Sequence, residues 1–297
     1  MREDMENENV KDLEPKKIFM RALDPIHIGA GGYRLGRVDN TIVRDPATDI
    51  PKIPGTAIAG VVRAFYEIEE KDKDKDKTDK LFGSGESKGM LRFYDGQIIF
   101  FPVSSIQGTI WITTKELLEY WFIELNDNNG NTITIPDNNH DEAYALKGID
   151  SQKPLNLGWL LLEVASPDGK DINLPSSISL YVQRIVIVSE KLFSHIVNDN
   201  LEIRTSVKID STTGTAAEGA LFTYEAIPRG TILGFEVVKD KTREKGDIDI
   251  DKVMGAVSSY FNLLGIGGMG TRGFGRVELL NISNNSEDQE ESKNAES

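Results

Sequence analysis

The 297-residue chain contains no cysteine. Disulfides, thiolate nucleophiles and cysteine-ligated zinc or iron–sulfur centres are therefore excluded. Histidine is nearly as scarce: His27, His140 and His195 lie far apart and form no H-E-x-x-H pair, which argues against a zinc hydrolase. No apolar run approaches the roughly 20 residues needed to cross a bilayer. The opening MREDMENENVKDLE is acidic and lacks the apolar segment of a secretory signal. Together these absences predict a cytoplasmic protein without a membrane partner. Basic residues are also in deficit, 34 Lys and Arg against 48 Asp and Glu, for a net charge of −14. The ends carry half of it, −3 in residues 1–16 and −4 in 283–297, leaving −7 for the body. Such a balance disfavours a protein that grips duplexes unaided, although phosphate affinity follows local basic stripes rather than the total.

What is present suffices for a sizeable core, with 39% hydrophobic residues. The composition predicts a charged arm (1–16), one domain (17–282) and an acidic tail (283–297). Within the domain, 126–156 is an Asn-, Asp- and Gly-rich insertion, and 201–227 reads as two strands around an exposed loop, a finger-like hairpin. Lys16–Leu23 alternates as a strand, and 91–101 reads as a strand pair turning at Asp95-Gly96. Gly158–Ala165 reads as a buried strand. EEKDKDKDKTDK (69–80) reads as a solvated linker, since it has little to bury. Two helices are convincing. One follows Pro54-Gly55-Thr56, with Thr56 as N-cap and Ile58, Val61, Val62 and Phe65 on one face; the other spans 251–264. Helices among many strands give an α+β fold with ferredoxin-like βαβ units.

The organising stretch is HIGAGGYRLGRVDNTIVRDPATDIPKIPGTAIAGVVR (27–63). It strings a glycine-rich bend (Gly29, Gly31, Gly32, Gly36), the exposed Asp39 and a helix N-terminus suited to an anion. Arg34, Arg37, Arg44, Lys52 and Arg63 accompany Asp39, Asp45 and Asp49. A second glycine stretch, GIGGMGTRGFG (265–275), follows a helix and precedes a strand, the reverse of the dinucleotide fingerprint. Its six glycines predict close approach of another backbone.

HIGAGGYRLGRVDNTIVRDP with IPKIPGTAIAGVVRAF resembles the opening of RAMP-superfamily backbone subunits of type III CRISPR effector complexes. FFPVSSIQGTIWITT (100–114) and TGTAAEGALFTYEAIPRGTIL (213–233) are most similar to the Cmr-type (III-B) subunit, while the D-N-x-x-x-R-D wording at Asp39 leans towards the III-A form. The resemblance implies a modified ferredoxin-like, RNA-recognition-like core with a β-hairpin thumb. It implies as partners a CRISPR guide RNA, target RNA, further copies in a head-to-tail filament, and other type III effector subunits. It makes Asp39 the residue required to cut target RNA, with Glu225 a weaker second carboxylate, and gives Asp39 a divalent ion, Mg²⁺ or Mn²⁺. RNA contact is expected at His27, Gly29, Arg34, Arg44, Gly55, Thr56, Arg63, Gly268, Thr271 and Arg272. One departure is Ile58-Ala59-Gly60, where similar proteins place a lysine; the amides at 55–57 and Arg63 then have to hold the guide phosphate. Loop aspartates commonly make Asx-turns, and a loop histidine is by default solvated. A non-cleaving scaffold, or a guide-precursor-processing endoribonuclease acting through His27, are the alternatives.

RNA breaks when its own 2′-hydroxyl attacks the adjacent phosphorus in line with the leaving 5′-oxygen. Regular duplex geometry prevents that alignment, and kinking the strand restores it. The loop 209–219 is the expected wedge. A carboxylate of ordinary pKa near ~4 is a poor base for a hydroxyl, so Asp39 is expected to hold the ion or position the hydroxyl.

Overall fold

The computed structural model describes residues 14–31, 38–70, 75–85, 87–122, 126–127, 130, 132–133, 135, 142–165, 172–209, 216–240 and 248–283. Arg34, His140, the tip of the finger at 210–215 and nearly all of both charged ends fall outside them. Strands are β1 Lys16–Ala22, β2 Lys52–Ile53, β3 Leu91–Phe93, β4 Gly96–Ser105, β5 Gly108–Thr113, β6 Ala143–Lys147, β7 Leu155–Leu157, β8 Leu160–Leu162, β9 Val164–Ala165, β10 Ile185–Ile187, β11 Glu202–Ile209, β12 Ala216–Ala226, β13 Ile232–Lys239 and β14 Val277–Leu279. The principal helices are α1 Gly55–Glu70, α2 Lys75–Phe82, α3 Lys115–Trp121, α4 Glu190–Asp199 and α5 Ile250–Leu263.

The main sheet runs β14-β1-β13-β4-β5-β10-β6-β9. Its first half is a ferredoxin-like unit: β1, then α1, then β3 and β4, and later β13, α5 and β14, with β1 and β13 inside and antiparallel. This α+β architecture is the expected one. β1 alternates as its residues predict. Ile18, Met20 and Ala22 join the core formed with Ile58, Val62 and Phe65 of α1 and Val257 and Phe261 of α5. Phe19 points to the opposite side, against Phe100, Trp121 and Phe122.

Four expectations are corrected. β3 and β4 do not form a hairpin; both pair with β13, one after the other, and the chain only bends at Asp95-Gly96. The charged run is not all linker, because Lys75–Phe82 folds as α2, with Leu81 buried and Asp79 paired to Arg63. Ala143–Lys147 of the supposed insertion is a strand of the main sheet. Gly158–Ala165 is not one buried strand: β7 and β8 pair across Gly158-Trp159, leaving Trp159 95% and Leu161 67% exposed.

Candidate nucleic-acid interface

β11 and β12 pair as an antiparallel hairpin, the predicted finger. Its free edge is used as well. The segment at 39–42 lies alongside β12 in parallel, with the Asn40 N–H donating to Thr223 O at 3.0 Å and the Glu225 N–H donating to Asn40 O at 3.0 Å. Asp39 thus sits at the root of a ribbon, exposed. Its Oδ2 accepts the Thr223 N–H and the Thr223 hydroxyl, both at 2.8 Å. The Thr223 amide, and then its hydroxyl, hold the Asp39 carboxyl below its ordinary pKa, so it is anionic throughout the neutral range.

Glu225 and Arg44 do not work beside it; they hold the loop from behind. Glu225 is buried, taking Arg44 Nη2 at 2.6 Å on Oε1 and the Ile42 N–H at 3.2 Å on Oε2. Arg44 also donates to Asn198 Oδ1 at 3.0 Å and to Ile42 O at 3.1 Å. Glu225 as a second reacting carboxylate and Arg44 as a phosphate contact are both corrected by this geometry, since each is spent on the other.

Strand side chains alternate, so Thr223 and Tyr224 face opposite sides of the ribbon. On the Tyr224 side lies Arg272, exposed, donating to Ser206 Oγ at 2.9 Å and Tyr224 Oη at 3.3 Å. Among the described residues no carboxylate pairs with it. Arg204 lies over the Phe274 ring at 4.8 Å and donates to Gly273 O at 3.2 Å, fastening the glycine turn to the finger. Arg272 and Asp39 are therefore bound to side chains on opposite faces of the ribbon, cation on the Tyr224 side and anion on the Thr223 side.

His27 is not a solvated loop residue. It is buried, with Nδ1 at 2.7 Å from Glu225 O and its ring edge-on to Tyr224 at 5.6 Å. A carbonyl only accepts, so Nδ1 carries the proton. The glycines divide into two groups. A Cβ on Gly267, where φ is +89°, would stand 2.6 Å from the His27 carbonyl oxygen, one on Gly265 would collide with the Gly275 carbonyl oxygen, and one on Gly275 with that of Ile266. The backbone approaching these three is the chain's own, which corrects part of the prediction. Gly29 lies 3.3 Å by its Cβ position from His27 Nε2. Gly268 and Gly270 face outward with nothing nearer than 3.6 Å, and Thr271 is exposed on a 3₁₀ turn (Gly270–Arg272). Those three and Arg272 make the open rim.

The helix N-terminus is already occupied. α1 begins at Gly55, so Thr56 lies in its first turn rather than at the cap. The Gly55 N–H donates to Asp95 Oδ1 at 2.8 Å, and Lys52 pairs with Asp95 Oδ2 at 2.7 Å. Arg63 turns to Glu67, Asp79 and the Gly83 carbonyl. A phosphate at this end of α1 would meet Asp95 first. Sequence reasoning passed over Thr223, Tyr224 and Ser206; the stretches LEIRTSVKI and ALFTYEAI show them as strand, but only the pairing of Thr223 to residues 39–40 and the contacts of Ser206 and Tyr224 with Arg272 reveal their use.

The RAMP superfamily profile matches residues 19–278. The chain is 30% identical over 291 residues to the CRISPR system Cmr endoribonuclease Cmr4 of Pyrococcus furiosus, covering 90% of this chain and 96% of that protein. To the CRISPR system Cms endoribonuclease Csm3 of Streptococcus thermophilus it is 33% identical over 84 residues, 25% of this chain and 37% of that one. A chain of a type III-B Cmr-beta complex bound to cognate target RNA has the same fold, with TM-score 0.68 and 19% identity over 90% of this chain and 96% of that one. Oligomeric Cmr4 from Pyrococcus furiosus matches with TM-score 0.59 and 24% identity, over 90% and 97%. The chain belongs to the RAMP superfamily.

Proposed function

We propose that the chain is the guide-RNA-binding backbone subunit of a type III-B CRISPR complex, an endoribonuclease that cuts guide-paired target RNA. Its copies stack head to tail along the guide, beside other effector subunits. The observation carrying this reading is the exposed, ionised Asp39 fixed at the ribbon root, with Arg272 on the ribbon's other face. The near full-length likeness to a named endoribonuclease supports it. The open rim of Gly268, Gly270, Thr271 and Arg272 offers close backbone approach and an uncompensated cation to one RNA strand. The ribbon stands between that strand and its complement. Asp39 meets the complement, where it orients the attacking 2′-hydroxyl or the phosphate next to it. Its lowered pKa makes it a weak base, so its part is positional.

Among the described residues no three His, Asp or Glu side chains converge on one point. A divalent ion at this site would have Asp39 as its protein ligand, with phosphate oxygens and water completing the shell, a donor set that suits Mg²⁺. Such an ion supplies charge compensation at the phosphate when bound. His27 is shielded, with its proton committed to Glu225 O, which favours Asp39 over a histidine-driven precursor nuclease. The test is Asp39→Asn in the reconstituted complex. Target cutting is expected to disappear, with guide and target affinity unchanged; a variant that cuts at the wild-type rate refutes the proposal.

A further inference from the structure

The Asp39 carboxylate does not rest on its own rotamer. Thr223 gives Oδ2 both an amide and a hydroxyl proton, each at 2.8 Å, and the Thr223 Oγ in turn accepts the Asp39 N–H at 2.9 Å. A hydroxyl engaged as acceptor by an amide has its single proton left for the carboxylate. The three bonds thus fix both hydroxyl orientation and carboxylate rotamer. Thr223 is itself held, its carbonyl accepting the Asn40 N–H at 3.0 Å and its strand paired with Thr205 of β11. With both Thr223 donors on Oδ2, Oδ1 accepts no hydrogen bond from another described residue.

We infer that Thr223 is the positioning residue of the cleavage site, clamping Oδ2 of Asp39 so that Oδ1 is presented to the RNA. This rests on the reading that Asp39 acts on target RNA. The clamp also joins the finger to the cutting loop, so a displacement of the finger by bound RNA moves the carboxylate with it.

The test compares wild type, Asp39→Asn, Thr223→Val and Thr223→Ser in the assembled complex, with guide and complementary target RNA under single-turnover conditions. Thr223→Val keeps the amide and the side-chain volume and loses the hydroxyl. It is expected to cut roughly ten- to a hundred-fold more slowly at saturating target, the loss that a displacement of ~1 Å produces. Target affinity should stay within about twofold, because only the cutting step is affected. Thr223→Ser should restore the rate. A purely structural role would lower target affinity along with the rate and would not be rescued by serine. A Thr223→Val complex that cuts like wild type while Asp39→Asn is dead overturns the clamp and leaves the functional proposal standing. An active Asp39→Asn overturns both. If thermal melting shows the Val variant unfolded, Thr223→Ala carries the same expectation.

Discussion

Arg44 and Glu225 are separated by 181 positions in sequence and joined by a 2.6 Å ion pair, with side chains only 14% and 11% exposed. Deleting one partner of a shielded pair strands the other charge away from water, at about 3 kcal/mol or more. Glu225→Ala is therefore expected to lower the unfolding free energy by about 3 kcal/mol in urea titration. Glu225→Gln should cost less, since it still accepts the Ile42 N–H. A loss below ~1 kcal/mol, the range of exposed pairs, would mean that water reaches Arg44 readily. Residue type could not have separated this pair from a site. Arginine and glutamate suit RNA contact and cutting as well as they suit each other, and what decides is a partner far along the chain. His27 shows the same limit. Its loop position suggested solvent, but Gly267, Phe274 and Tyr224 close over it.

At the scale of elements, α1 and α5 were legible because a helix declares its buried face every three or four residues, and Ile58, Val62, Phe65, Val253, Val257 and Phe261 obey that spacing. Strand pairing carries no such local mark, so β3 and β4 read as partners of each other while both lie against β13. Glycines are ambiguous in the same way, and the structure sorts them. Gly267→Ala forces a Cβ to 2.6 Å from the His27 carbonyl at a φ of +89° and should destabilise the fold by several degrees in a thermal melt. Gly270→Ala meets nothing nearer than 3.9 Å and should melt like wild type while weakening guide-RNA binding. If Gly270→Ala binds guide normally, the rim is not where RNA backbone approaches. Asp95 makes the third case. Burial alone would raise its pKa, but the Lys52 ammonium and the Gly55 amide bring it below the usual value. A depressed folded pKa adds stability above the unfolded value of ~4 and loses it as pH falls through the folded one. Asp95→Asn should cost about 1 kcal/mol at neutral pH, a helix-cap value discounted for exposure. Its melting curve should merge with wild type in acid, and a gap that persists there would point to the amide's own misfit.

Across the whole molecule, the ferredoxin-like half gives a rigid sheet with helices α1 and α5 on one face, and the finger rises from the strand that leads into β13. The net charge of −14 must be reconciled with an RNA partner. Most described arginines are neutralised within the fold: Arg21 by Glu278, Arg44 by Glu225, Arg63 by Glu67 and Asp79, Arg92 by Asp240, Arg204 by Glu202, and Arg276 by Asp24. Arg272 differs, since its partners Ser206 and Tyr224 are neutral and leave its full charge at the surface. With most of its described arginines spent within the fold, the chain should bind guide RNA through a small number of arginine–phosphate contacts, and each should be visible in the salt dependence. Neutralising one single-strand phosphate changes the slope of log K against log salt by about 0.7. Arg272→Ala is thus expected to flatten that slope by roughly this amount in filter-binding titrations of guide RNA, and to weaken binding alike for guides of any sequence. Arg63→Ala, whose charge is already spent on Glu67 and Asp79, should leave the slope unchanged and lower the melting temperature instead. The reverse result, a slope that follows Arg63 and ignores Arg272, would move the guide from the glycine rim to the start of α1.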